Sequence, residues 1–136
     1  MFRGVENRRP RVLVVEDDEC TRDALVDYLN DEGFAVESAL DGQEALGVAA
    51  AGDLDVIVLD LRLPVLDGVA FADIWRTHPG RARVPIVATS GLPEGESLAA
   101  QFGAVAFRSK PFDLRAFAEL LRTTVRSSPV TGQPNS

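Results

Sequence analysis

Short apolar runs alternate along the chain with stretches in which apolar residues recur every three or four positions. The runs are rich in valine and isoleucine and are bounded by charged residues, glycine or proline, as buried strands are. They span Arg11–Val15, Phe34–Ala39, Leu54–Leu59, Pro85–Thr89 and Ala104–Phe107. This pattern predicts five strands, each followed by a helix.

The stretches between the runs place their apolar residues on one helical face. These faces consist of Leu25, Tyr28 and Leu29, then Phe71, Ile74 and Trp75, and finally Leu114, Phe117, Leu121 and Val125. Helix boundaries are indicated by a capping box at Asp41 and Glu44, a start at Asp67-Gly68, and a stop at Thr77-His78-Pro79-Gly80. Strands that alternate with helices predict an α/β fold, in which right-handed crossovers place helices on both faces of a parallel sheet.

Length and composition favour one domain with a core of its own. The chain has 136 residues, of which 46% are hydrophobic, and one cysteine, Cys20, which cannot form an internal disulfide. We predict a polar leader over residues 1–10, a domain over 11–126 and a flexible tail over 127–136. No apolar run approaches the roughly 20 residues of a membrane span, and the leader lacks a signal-peptide core. A soluble cytoplasmic protein is expected.

Charge narrows the choice of partners. The formal net charge is −7, so the chain repels phosphate backbones and direct nucleic-acid binding is not expected. Thirteen of the fourteen basic residues are arginine, and Lys110 is the only lysine. A lysine that occurs once, directly before a proline, is a candidate for a chemical role.

Polar residues gather where the predicted strands end. They are Glu16-Asp17-Asp18 after the first strand, Asp60 after the third, Thr89-Ser90-Gly91 at the fourth, and Lys110 after the fifth. Ligands of open α/β sheets bind beyond the carboxyl ends of the strands. If these strands are neighbours, several carboxylates, a hydroxyl and an ammonium group share one cleft.

Crowded carboxylates repel one another unless a cation neutralises them. Oxygen ligands suit Mg²⁺, with Mn²⁺ as a substitute, and such a site keeps positions open for a phosphate group. A carboxylate can attack phosphorus and form an aspartyl phosphate, while the cation and a lysine neutralise the moving oxygens. The constellation therefore indicates phosphoryl transfer to a carboxylate.

Taken singly, these residues have simpler explanations. Asp18 is more often a helix cap, Ser90 a residue that stabilises its own turn, and Lys110 a solvated surface residue. Asp60 differs, because it precedes Leu61-Arg62-Leu63-Pro64 and no helix begins there that it could cap. His78, the only histidine, lies in a helix stop and is expected to be structural. The coincidence of four strand ends is what favours a site.

Four motifs, in order, carry a family resemblance. VVEDD (14–18), VLDLRLPVLDG (58–68), PIVATSG (85–91) and FRSKPF (107–112) resemble the receiver domain of two-component response regulators over about Arg11 to Arg126. The resemblance implies a flavodoxin-like receiver fold, which is a doubly wound five-stranded parallel sheet of order 2-1-3-4-5 with five helices.

The resemblance also implies roles for the acidic residues. Asp60 corresponds to the phospho-acceptor and would also contact the metal. Asp17 corresponds to the direct metal ligand, and Glu16 acts mostly through water. The backbone carbonyl of Arg62 would complete the protein ligands.

Further roles follow for the residues that face the phosphoryl group. Ser90 matches the switch hydroxyl, and Lys110 matches the lysine that pairs with the phosphoryl group. The Lys110–Pro111 bond is expected to be cis. Phe107 falls on the aromatic switch position. Arg62 and Leu92, two residues after the acceptor and the hydroxyl, would flank the path of the hydrolytic water.

The implied function is a phosphorylation switch rather than an enzyme with turnover. A sensor histidine kinase, a phosphotransfer protein or a small phosphodonor would phosphorylate it. The face of the fourth helix, fifth strand and fifth helix, including Leu98, Phe102 and Phe107, would then bind a downstream protein or a second copy.

Three questions stay open on the sequence alone. A haloacid-dehalogenase-like phosphatase also uses an aspartate nucleophile with Mg²⁺, but it needs an acidic residue where this chain has Arg62. A binding module that is never phosphorylated is the second alternative. The third question is whether the receiver stands alone or belongs to a longer regulator.

Overall fold

Five strands and five helices alternate along the residues that the structure, a computed structural model, describes: 9–49, 53–62, 68–77 and 83–127. The strands are β1 (Arg11–Val15), β2 (Ala35–Ala39), β3 (Val56–Asp60), β4 (Ile86–Ser90) and β5 (Ala106–Ser109). The helices are α1 (Glu19–Asp31), α2 (Gly42–Ala49), α3 (Gly68–Arg76), α4 (Gly95–Phe102) and α5 (Leu114–Ser127). The predicted alternation of strand and helix is confirmed.

All five strands pair in parallel, in the order β2-β1-β3-β4-β5. The flavodoxin-like order implied by the resemblance is therefore confirmed. β1 and β3 are neighbours, and β4 and β5 follow on the same side. The carboxyl ends of these four strands consequently lie along one edge of the sheet.

Apolar side chains cover both faces of the sheet. On one face, α2, α3 and α4 pack through a cluster that includes the stacked rings of Phe71 and Trp75, whose centroids are 6.1 Å apart. On the other face, Leu29 of α1 and Phe117 and Leu121 of α5 are fully buried against the strands. Each such side chain contributes about 1.5–3 kcal/mol through burial. These two layers hold the strand ends in place.

One residue of the predicted apolar faces lies elsewhere. The helical period predicts that Ile74 is buried with Phe71 and Trp75, but Ile74 is 40% exposed, whereas the other two are buried. A short helix that packs on a sheet buries a narrow stripe, and Ile74 lies at the margin of that stripe.

Three strands end later than predicted, namely β3, β4 and β5, and every strand except β1 begins one or two residues later. β3 and β4 each extend one residue further, so that Asp60 and Ser90 are their last residues. β5 begins at Ala106 instead of Ala104. The reason is that the Ala104 N–H donates to the carbonyl of Ala99, closing α4 beyond Gly103, whose φ is 83°.

The capping box that opens α2 is confirmed. Asp41 Oδ1 accepts from the Glu44 N–H at 2.8 Å, and Glu44 Oε1 accepts from the Leu40 N–H at 2.7 Å. α3 begins at Gly68 and ends at Arg76, as the start and stop signals predict.

Several predicted features lie outside the described residues. They are most of the leader (1–8), the tail beyond residue 127, Asp67, and the helix stop at 78–80, which includes His78. α5 includes Ser127, the first residue assigned to the tail. Among the helices of the described ranges, none combines the length and apolar composition that a membrane span requires.

Candidate functional site

A polar cleft opens at the carboxyl ends of β1, β3, β4 and β5. Its volume is about 440 Å³. The residues that line it are Glu16, Asp17, Asp18, Asp60, Arg62, Gly91 and Lys110. Most of the residues singled out at the strand ends therefore meet in one place, because the parallel topology brings those ends together.

Lys110 bridges two buried carboxylates at the centre of the cleft. Its Nζ lies 2.7 Å from Glu16 Oε1 and 3.0 Å from Asp60 Oδ2. Glu16 is 2% exposed and Asp60 is 3% exposed. Such buried charges are tolerated only when they are paired. The lysine is therefore a partner of the acidic residues and not a solvated surface group.

Burial and the hydrogen bonds of Lys110 have opposing effects on the pKa values of Glu16 and Lys110. Burial raises the pKa of Glu16, and the negative charge of Asp60 adds to the effect, while the hydrogen bond from Lys110 opposes it. For Lys110, burial works to lower the pKa, but the hydrogen bonds to Glu16 and Asp60 prevail and raise it. Lys110 therefore carries its positive charge throughout the neutral range.

Three carboxylates lie close enough to share a cation. One oxygen each from Glu16, Asp17 and Asp60 lies within 4.8 Å of the others, and Asp17 is the exposed member. Three negative charges face one ammonium group, which leaves two charges uncompensated. Hard oxygen donors in this number fit Mg²⁺, which also keeps positions for water and a phosphate oxygen.

Asp18 has a different role from its acidic neighbours. It is the N-cap of α1, and its Oδ2 accepts from the Thr21 N–H at 2.8 Å and from the Thr21 hydroxyl at 2.7 Å. These hydrogen bonds lower the pKa of Asp18. The helix-cap explanation given from the sequence is thus confirmed.

Ser90 and Asp60 each anchor the turn that follows their strand. Ser90 is fully buried, and its Oγ accepts from the Leu92 N–H at 2.9 Å. Asp60 Oδ1 accepts from the Arg62 N–H at 3.0 Å. Leu92 and Arg62 thus occupy equivalent places, each two residues beyond a strand-end side chain, and the Arg62 side chain is exposed.

Phe107 lies within β5, and Lys110 directly follows the last residue of that strand. The half-buried Phe107 packs against the cluster between the sheet and α2–α4, as does Leu98. The Lys110–Pro111 peptide bond is cis. The side chain of Phe102, which was expected on the same face as Leu98 and Phe107, lies outside what the structure describes.

Two residues at the site were not identified from the sequence. The Arg22 guanidinium donates to the backbone carbonyl of Glu16 at 3.0 Å and to that of Asp17 at 3.4 Å, which supports the acidic loop. Its position four residues after a predicted N-cap could have indicated this contact. Gly95 lies between Ser90 and Phe107, and no feature of the sequence pattern indicated it.

Comparison with known proteins decides the family. A family model described as the response regulator receiver domain matches residues 12–122. The chain belongs to this family. The polar cleft at the carboxyl ends of β1, β3, β4 and β5 is therefore the cleft of a receiver domain.

Individual response regulators are also similar to this chain over most of its length. This receiver domain is 35% identical over 121 residues to the regulatory protein VirG of Rhizobium rhizogenes, covering 87% of this chain and 49% of that one. It is 33% identical over 127 residues to the transcriptional regulatory protein PrrA of Mycobacterium tuberculosis, covering 93% and 54%. The chain therefore spans about half the length of the curated relatives it matches.

Solved structures show the same likeness. The chemotaxis response regulator CheY4 of Vibrio cholerae superposes with a TM-score of 0.80 at 30% identity, covering 86% of this chain and 99% of that one. A response regulator receiver protein from Pseudomonas putida gives a TM-score of 0.79, also at 30% identity, over 85% and 98%. The match covers nearly all of each of these two solved chains.

Proposed function

We propose that this receiver domain is a Mg²⁺-dependent switch that accepts a phosphoryl group on Asp60. The observation that carries the proposal is the pairing of Asp60 with Lys110 at 3.0 Å, beside two further carboxylates at the end of a buried strand. The donor would be a sensor histidine kinase, a phosphotransfer protein or a small acyl phosphate. The protein would act in the cytoplasm, without itself binding nucleic acid.

The transfer would use Asp60 as the nucleophile. One of its carboxylate oxygens attacks phosphorus, while the bond from phosphorus to the donor breaks and its electron pair leaves with the donor. The Lys110 ammonium group, 3.0 Å from Asp60 Oδ2, is close enough to neutralise negative charge first on the carboxylate and then on the phosphoryl oxygens. Ser90, once its hydroxyl turns from the Leu92 N–H, would donate to another of those oxygens.

The metal would be held by carboxylate and carbonyl oxygens. Asp17, Asp60 and the backbone carbonyl of Arg62 would bind directly, and Glu16 through water. Bound Mg²⁺, or Mn²⁺ in its place, supplies positive charge for the equatorial phosphoryl oxygens. The indirect role of Glu16 follows from the family resemblance; in the structure its carboxylate accepts from Lys110 and the Asp18 N–H.

Intact mass spectrometry tests the proposal. Incubation with acetyl phosphate and Mg²⁺ should add the mass of one phosphoryl group, and excess EDTA should prevent the addition. Equal incorporation with and without the metal would contradict a metal-dependent site. Continuous turnover of phosphate esters would instead favour the haloacid-dehalogenase-like alternative.

The output would be a change in the surface formed by α4, β5 and α5. Ser90 and Phe107 are both close to Gly95 at the start of α4, so a movement of Ser90 toward the phosphoryl group alters the packing of the ring. The altered surface would bind a downstream protein or a second copy of the chain. Amide chemical shifts around Leu98 and Phe107 should change on phosphorylation. Shifts confined to the metal site would contradict this output.

The lifetime of the phosphorylated form should depend on Arg62 and Leu92. Leucine cannot orient water, and both side chains are bulky enough to obstruct in-line attack. In the double variant Arg62→Asn with Leu92→Glu, polar groups could position the water. We expect hydrolysis to become about tenfold faster, below the usual contribution of a positioned catalytic group.

Loss of the phosphoryl mass over time measures this lifetime. Arg62→Met serves as the control, since it keeps most of the length of the side chain and removes its charge; little change is expected if obstruction dominates. Hydrolysis that is unchanged or slower in the double variant would refute the explanation. A large acceleration in Arg62→Met would assign the protection to charge instead.

A further inference from the structure

The first residue of α4, Gly95, lies where Ser90 and Phe107 approach each other. Gly95 is buried. A Cβ atom added to it would lie 2.8 Å from the Cβ of Ser90, and 2.9 and 3.0 Å from Cζ and Cε1 of the Phe107 ring. Such separations are well inside van der Waals contact, so any side chain at position 95 would displace one of these neighbours.

The requirement for glycine at position 95 is one of space. Its φ is outside the positive range that only glycine adopts easily, unlike Gly33 at 102° and Gly103 at 83°. Alanine would therefore suit the backbone and would favour a helix more than glycine does. Only the neighbouring side chains disfavour it.

Of the two neighbours, Ser90 is the one held in place. It ends the buried strand β4, where it pairs with Ser109 of β5, and its carbonyl accepts from the Lys110 N–H at 2.9 Å. Phe107 is only half-buried and lies on the edge strand β5, so fewer neighbours hold it. An added methyl group at Gly95 should therefore move the ring first.

We propose that Gly95 is the positioning residue of the switch: by lacking a side chain, it provides the seat in which the Phe107 ring lies beside Ser90. This inference rests on the proposed function, in which Ser90 and Phe107 relay the state of Asp60. In the structure, the ring occupies the space next to Ser90 and Gly95. A residue larger than glycine would push the ring outward and uncouple the α4–β5–α5 surface from the phosphorylation site.

The test uses the unphosphorylated full chain, so it is independent of the phosphorylation experiment. In the wild type, nuclear Overhauser contacts are expected between the ring protons of Phe107 and the β-protons of Ser90. Gly95→Ala should abolish them and shift the amide signals of β5. Gly47→Ala is the matched control, because Gly47 lies within a helix and an added Cβ meets nothing within 4 Å. Retention of the contacts in Gly95→Ala would overturn the proposal.

A double-mutant cycle on thermal stability tests the proposal even if Gly95→Ala is poorly folded. The substitution should lower the midpoint of thermal unfolding in the wild type, and lower it less in a Phe107→Ala background, where the ring is gone. An equal decrease in both backgrounds would show that Gly95 does not seat the ring. Failure of phosphorylation, by contrast, would refute the proposed function and leave the seat intact.

Discussion

Asp60→Asn should reduce phosphoryl incorporation from acetyl phosphate to background. The substitution keeps the shape of the side chain but replaces the attacking oxygen pair with an amide, which is a poor nucleophile. It also removes one of the three carboxylates that would hold the metal. Both effects act in the same direction, so this is the largest effect that we expect from a single substitution.

The fold should tolerate the change, because Lys110 keeps its 2.7 Å contact with Glu16. Asp73→Asn is the control, since Asp73 is an exposed carboxylate on α3, away from the cleft. It should accept a phosphoryl group like the wild type. Undiminished incorporation by a folded Asp60→Asn variant would refute the assignment of Asp60 as the acceptor.

Asp17→Ala should weaken Mg²⁺ binding by about a hundredfold, or roughly 2.7 kcal/mol. Asp17 is the one exposed member of the carboxylate group, and within the described residues no side chain pairs with its carboxylate. Its oxygens are therefore the most accessible to a hydrated ion, whereas Glu16 and Asp60 are already bonded to Lys110. Isothermal titration calorimetry at fixed ionic strength measures the change.

Asp18→Asn tests whether Asp17 binds Mg²⁺ directly or contributes only its negative charge. It removes the same unit of negative charge from the adjacent residue, and asparagine caps a helix as well as aspartate does. We expect only a small loss of Mg²⁺ affinity, because exposed charges are well screened. If the two variants weaken binding equally, Asp17 contributes through charge alone and is not a direct ligand.

The layout of the site could be predicted from the sequence because it depends on topology. Strand ends in a parallel sheet meet at one edge, so Glu16, Asp60, Ser90 and Lys110 could be placed together from the sequence. The strand order itself came from the family resemblance. The helix-cap role of Asp18 also followed from local chemistry, because N-cap hydrogen bonds involve residues only a few positions apart.

Features that depend on close packing could not be predicted. The space that requires Gly95 is created by Ser90 and Phe107, which come from two other elements and leave no periodic signal. The exposure of Ile74 depends on how α3 is rotated against the sheet. Likewise, β5 begins two residues late because a helix-end hydrogen bond involving Ala104 competes with the strand.

Mapping the covalent bond in the wild type tests the central claim most directly. An acyl phosphate, unlike a phosphoserine or phosphohistidine, is reduced by borohydride, which converts the modified aspartate to homoserine. After acetyl phosphate and Mg²⁺, borohydride reduction and peptide sequencing by mass spectrometry, homoserine should occur at position 60 alone. Reduction at position 17, or a phosphoryl group that resists borohydride, would contradict the account.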